Sequence, residues 1–232
     1  MNVVFLPGLL CDARLWAAQV RALGARATLQ VADMTTGGTM AALAADVLAR
    51  APSGRFALAG LSMGGYCALE IVRQAPERVA ALALLDTSAR PDTPEGTTNR
   101  RRLVKLAEHD FDRVVDELLP KLVAPAHLAD PAIAGVVRAM ARAFDPTSFA
   151  RQQEAIISRA DSRPLLPTIS CPTLVLCGRE DRGFPPETSL RLAQAIAGAR
   201  LGWIEGAGHL TPLERPLEVN RLLVPFVADR MA

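Results

Sequence analysis

Residues Leu58–Glu70 read LAGLSMGGYCALE, a strand, a tight turn and a helix in thirteen residues. The stretch starts in the apolar run Phe56–Gly60 and passes into a helical pattern that extends from Met63 to Gln74. Gly60 and Gly64 stand two positions either side of Ser62, giving G-x-S-x-G between a buried strand and a helix. A serine lifted clear of a sheet on so sharp a turn needs neighbours without side chains, because a Cβ there would strike the backbone. The helix opening at Met63 points free N–H groups at that serine, where negative charge would develop in acyl transfer.

Outward from this turn, short apolar runs alternate with amphipathic helical stretches, which predicts an α/β fold with a mostly parallel sheet of about six strands. Strands are expected at 3–7, 27–33, 56–60, 79–86, 173–178 and 200–206. Helices are expected at 13–23 with Asp12 as N-cap, at 40–50 with Thr39 as N-cap, and at 63–74, 187–197 and 217–230. Between Asp86 and Pro172 the strand rhythm stops. Four helical patterns fill that interval, at about 97–108, 111–122, 131–143 and 147–159. The chain is therefore divided into a core of residues 1–86 and 172–232 and a helical lid of residues 87–171.

Composition narrows the function classes. Of 232 residues half are hydrophobic and 22% charged, the profile of a globular protein. A net charge of +2 gives no electrostatic case for nucleic acid. The longest apolar run, Val79–Leu85, is far short of the roughly 18 residues of a membrane span, and Val3–Leu6 is too short for a signal peptide. Cys11, Cys67, Cys171 and Cys177 show no paired metal spacing and read as reduced thiols, consistent with a cytoplasmic protein. No metal or cofactor is expected.

A serine hydroxyl needs a base. Of the three histidines, His109 and His127 fall in the helical insertion and are assigned solvated or capping roles. His209 lies in EGAGHLTPLERP, a glycine-rich turn after the last strand, where Gly206 and Gly208 give the loop freedom to aim the imidazole. An acid must orient that base. Asp181 follows the strand 173–178 at the carboxyl edge, where open α/β sheets build their sites, and is preferred to its neighbour Glu180 and to Asp86. The backbone N–H groups of Met63 and of Leu9, with Leu10 second, are the candidate oxyanion donors.

The opening LPGLLCDARLW, the turn GLSMGG, LVLCGRED and GAGHLTPLERP together resemble the α/β-hydrolase superfamily over nearly the whole chain outside the lid. The lid resembles that of the pimeloyl-ACP methyl ester esterase and 3-oxoadipate enol-lactonase group. Pro7-Gly8 stands where the family usually has His-Gly, and the chain begins at what would be the family's third strand. The resemblance implies a cofactor-independent serine hydrolase of carboxylic esters or thioesters, with Ser62, Asp181 and His209 as triad. It disfavours dehalogenase and epoxide hydrolase chemistry, which uses an aspartate at the position of Ser62. The alternatives are carbon–carbon bond hydrolysis, a lyase or a perhydrolase on the same triad, or a ligand receptor without turnover. Leu10, Phe184 and Leu210, with Met140 and Phe144 from the lid, are the candidate pocket residues, and Asn99-Arg100-Arg101-Arg102 reads as a solvated helix face in preference to an anion contact.

Overall fold

Apolar runs that do not alternate with polar residues must be covered on both faces, and here they form a six-stranded sheet in the order β2-β1-β3-β4-β5-β6. The computed structural model describes residues 2–24 and 27–229. The strands are β1 (Asn2–Leu6), β2 (Thr28–Val31), β3 (Phe56–Leu61), β4 (Val79–Leu85), β5 (Thr173–Gly178) and β6 (Arg200–Ile204), and every pairing is parallel. Successive residues of β3 enter opposite cores. Phe56 and Leu58 join the cluster under α2 (Met40–Arg50) and α3 (Met63–Gln74), while Ala57, Ala59 and Leu61 join the cluster that includes Leu15, Trp16 and Leu23. That second cluster is covered by α1 (Ala17–Leu23).

Between β4 and β5 stand four helices: α4 (Pro94–Ala107), α5 (Phe111–Leu122), α6 (Ala134–Ala141) and α7 (Pro146–Ile157). Asp110 and Asp145 cap α5 and α7, accepting N–H bonds from Arg113 and Ser148. The first of the four begins earlier than its periodicity predicts, because Thr93 caps Gly96 and Pro94 fills the first turn. The remaining helices are α8 (Pro186–Gln194), a single turn α9 (Thr211–Glu214) that the sequence pattern does not announce, and α10 (Pro216–Ala228). Arg230, expected at the end of the last helix, lies outside the described residues.

Register decides what meets at the carboxyl edge. Leu6 pairs with Gly60 and Leu61 with Leu85, so the loop after β1, the Ser62 turn and Asp86 emerge side by side. Gly178 pairs with Ile204, which brings the loops carrying Asp181 and His209 together. No helix of the described residues is long and apolar enough to cross a membrane.

Candidate active site

Ser62 has φ 54° and ψ −114°, a conformation that costs an L-residue of order 1–3 kcal/mol and persists only when its surroundings impose it. The surroundings are backbone. A Cβ on Gly64 would lie 2.0 Å from the Leu6 carbonyl oxygen, and one on Gly60 2.3 Å from that of Gly64. Behind the turn, Gly65 lets α3 press against Thr87, whose hydroxyl donates to the Ser62 carbonyl at 2.8 Å.

His209 and Asp181 are both buried and are joined by a 2.8 Å hydrogen bond between Nδ1 and Oδ2. The other Asp181 oxygen accepts N–H bonds from Gly183 (2.7 Å) and Phe184 (3.0 Å), which fixes the carboxylate. Burial alone would push the His209 imidazole down; the charge and hydrogen bond of Asp181, with Asp86 and Glu214 behind it, outweigh burial and raise it to about 9. Ser62 and His209 line one cavity, with no hydrogen bond between them in this structure. Glu180 is exposed.

Asp86 is engaged elsewhere. It is buried at φ 46°, accepting the Gly178 N–H at 2.8 Å and the Thr211 hydroxyl at 2.5 Å. Burial, reinforced by the neighbouring Asp181 charge, holds its carboxyl well above the usual carboxylate range. Ligand atoms of Asp86, Cys177 and Asp181 lie within 4.8 Å of one another, the one group among the described residues with metal-ligand spacing. Both carboxylates already accept N–H or O–H donors, and burial pushes the Cys177 thiol up to about 12, so it keeps its proton and is a poor ligand.

The N–H groups of Leu9 and Met63 have no hydrogen-bond partner among the described residues. That of Leu10 is taken: it donates to Gln152 Oε1 at 3.1 Å, and Gln152 in turn donates to the Met34 carbonyl. Leu10, at φ 55°, is buried against α7 and does not line the cavity.

The cavity measures about 180 Å³. Of the expected lining residues Phe184 and Leu210 are present, and the Phe184 ring lies 5.6 Å from the His209 ring. Met140 and Phe144 are elsewhere. Met140 packs into the core cluster of Leu119 and Val137, and Phe144 lines a separate cleft beside Asp145 and Ser148. Met140 stands on the apolar stripe of α6, which shows that a helix face is covered but not by what, and Phe144 lies in the turn between α6 and α7.

The cavity also holds Tyr66, Leu118, Lys121, Leu122 and Ile156, for which the sequence pattern predicts no place there, and Arg100. Tyr66 had a signal: it is four residues beyond Ser62 on one helix face. Arg100 corrects an expectation, since its side chain is only 23% exposed and pairs with Asp92 and Gln153, whereas Arg101 and Arg102 face solvent. Cys11 lines the cavity too, but burial pushes its thiol up to about 12.

His127 is a second correction. It is buried, and its Nδ1 lies 2.8 Å from Glu214 Oε2. Glu214 also accepts the N–H groups of Ala124 (2.7 Å), Gly208 (3.1 Å) and Leu210 (3.0 Å). One buried carboxylate thus ties both neighbours of His209 to the segment following α5. Gly208 contributes close contact more than freedom, because a Cβ there would lie 2.5 Å from the Ala124 nitrogen. His109 is exposed, as expected.

Residues 3–222 match the Alpha/beta hydrolase family. The chain belongs to that family. The sequence is similar to 2-hydroxymuconate semialdehyde hydrolase of Pseudomonas putida, 33% identical over 74% of this chain and 62% of that enzyme. It is similar to a pimeloyl-[acyl-carrier protein] methyl ester esterase of Nitrosomonas europaea, 27% identical over 93% and 91%. A malate-bound thermophilic esterase from Thermogutta terrifontis superposes on this alpha/beta hydrolase with a TM-score of 0.90 and 31% identity, covering 100% of this chain and 91% of that one.

Proposed function

We propose that this alpha/beta hydrolase is a cofactor-independent serine hydrolase of small carboxylic esters or thioesters. The observation that carries the reading is the Asp181–His209 hydrogen bond of 2.8 Å, with His209 on the same cavity wall as a strained Ser62. Ser62 Oγ attacks the carbonyl carbon as His209 Nε2 takes its proton, and the C=O electron pair moves onto oxygen. The free N–H groups of Leu9 and Met63 receive that oxyanion. The intermediate collapses, the alcohol or thiol leaves with the His209 proton, and water deprotonated by His209 releases the acid from Ser62. Asp181 keeps the imidazole in one tautomer and stabilises its charged form.

In this reading the insertion of α4–α7 is the lid. Its Arg100, Leu118, Lys121, Leu122 and Ile156 form the outer lining of the cavity and would exclude water from the acyl-enzyme. The four free cysteines suit the reducing cytoplasm. A fluorophosphonate probe should label Ser62, and Ser62→Ala should lose both labelling and p-nitrophenyl ester turnover. An unlabelled Ser62 with a fully active alanine variant would falsify the mechanism. Carbon–carbon bond hydrolysis is the second reading, favoured by the similarity to 2-hydroxymuconate semialdehyde hydrolase. It predicts negligible turnover across a simple ester panel.

A further inference from the structure

The catalytic cavity carries positive charge that the hydrolytic step does not use. Among the described residues, Arg100 of α4 and Lys121 of α5 are the permanently charged ones that line it, and no carboxylate does. Lys121, one of only two lysines in the chain, stands exposed at the cavity rim one turn from Glu117 and makes no ion pair within contact distance among the described residues. Arg100 is held in place by donating from Nε to Asp92 (3.3 Å) and from Nη1 to Gln153 (2.9 Å). Its Nη2 has no partner among the described residues. Asp92 does not neutralise the wall, because it also accepts from Arg159 at 2.9 Å, so one buried carboxylate faces two guanidinium groups. Arg159 is consumed by that contact, by the Arg90 and Ile156 carbonyls, and by the Tyr66 ring 4.4 Å away. The Tyr66 hydroxyl, also at the cavity, makes no hydrogen bond among the described residues.

We infer that the substrates of this hydrolase carry a second, anionic group: half-esters of short dicarboxylic acids whose free carboxylate is held by Arg100 and Lys121 while the ester carbonyl sits at Ser62. The inference rests on the ester-hydrolase reading and names its substrate class. Arg100 is preset for the task, because two of its three nitrogens are already bonded and little side-chain freedom is lost on binding. A partly buried charge-assisted hydrogen bond supports discrimination of about ten-fold or more.

The test is a pH-stat comparison of monomethyl glutarate with methyl valerate, matched in acyl length and differing in charge. The parent should show a kcat/KM ratio of at least about ten in favour of the anion, carried by KM and falling with added salt. Arg100→Gln and Lys121→Gln should each reduce that ratio several-fold, Arg100→Lys should restore part of it, and exposed Arg101→Gln should leave it unchanged. A ratio of one or less in a parent that hydrolyses methyl valerate overturns the inference and leaves the esterase reading standing. If neither ester turns over and Ser62 is not labelled, the esterase reading fails, and glutarate binding by calorimetry then decides the anion site. Heat with the parent but not with Arg100→Gln supports it; no heat with the parent overturns it.

Discussion

Glutamine at position 214 would keep the shape of the side chain and remove half of its accepting capacity. Glu214 is fully buried, and Oε2 alone accepts from Ala124, Gly208 and His127 while Oε1 accepts from Leu210. An amide has one acceptor oxygen. Its better orientation serves the three Oε2 partners and turns NH₂ toward the Leu210 N–H. Leu210 keeps a partner, because its N–H is shared with the Leu122 carbonyl at 3.1 Å. The main cost is therefore the weakening of three charge-assisted bonds to neutral ones, about 1 kcal/mol each, or about 3 kcal/mol together. For a chain of this size that lowers Tm by about 6–12 °C. Glu214→Ala strands two buried N–H groups and His127, and should cost more. Because Gly208 and Leu210 flank His209, kcat should fall about ten-fold or more in either variant, as positioning errors well below 1 Å already slow catalysis. Thermal unfolding and initial rates check both numbers, with exposed Glu205→Gln as control. A Glu214→Gln protein that melts within about 2 °C of the parent and keeps its kcat would refute the anchoring role.

His209 acts as a base only when neutral, so with its imidazole raised to about 9, kcat/KM should climb with pH along a limb centred there. Asp181→Asn should move that limb down and lower the plateau; an unmoved limb means Asp181 is not the partner. The same raised value contributes stability that is fully present below the ordinary 6.5 and is lost as pH rises through 9, about 3 kcal/mol in all, which parent and Asp181→Asn melts would resolve. Asp86 acts in the same direction, the reverse of an ordinary paired carboxylate: its folded form favours the proton, so its contribution is present below the usual carboxylate range and is lost as pH rises through its raised value. Asp86→Asn, which tolerates the same positive φ and keeps an acceptor for Gly178, should therefore melt higher than the parent at pH 8 and match it near pH 4. A lower melting point at pH 8 would contradict this. Gly64→Ala would place its Cβ 2.0 Å from the Leu6 carbonyl, so soluble folded protein should not accumulate; a parental yield and Tm would remove the steric account of the turn.

Much of the fold, and the meeting of Ser62, Asp181 and His209 at one sheet edge, is legible in the sequence because the causes are local. Periodicity separated strands from helices, and strand β5 fell where its apolar run predicts. The glycines around Ser62 announced a backbone clash that involves only neighbouring segments. Asp181 and His209 were visible because in a parallel sheet every strand end opens on the same edge. The misses share another cause. An amphipathic helix declares that one face is covered without naming the surface that covers it, so the stripe of Met140 does not reveal that it packs into the core, and a lone apolar residue in a turn, Phe144, does not reveal which cleft it lines.

Charged residues were harder still to read, because a buried charge is tolerated only through partners distant in sequence. Arg100 resembles its exposed neighbours until Gln153 and the shared Asp92 hold it inward, and His127 resembles a surface histidine until Glu214 reaches it across the fold. A parallel α/β sheet with a serine on a strained turn, an aspartate and a histidine at its carboxyl edge can be read from the residues alone, because those features follow from periodicity and short-range sterics. Which N–H groups stay free, which charges line the cavity and which carboxylate anchors the His209 loop emerge only on folding, since each depends on contacts between segments far apart in the chain.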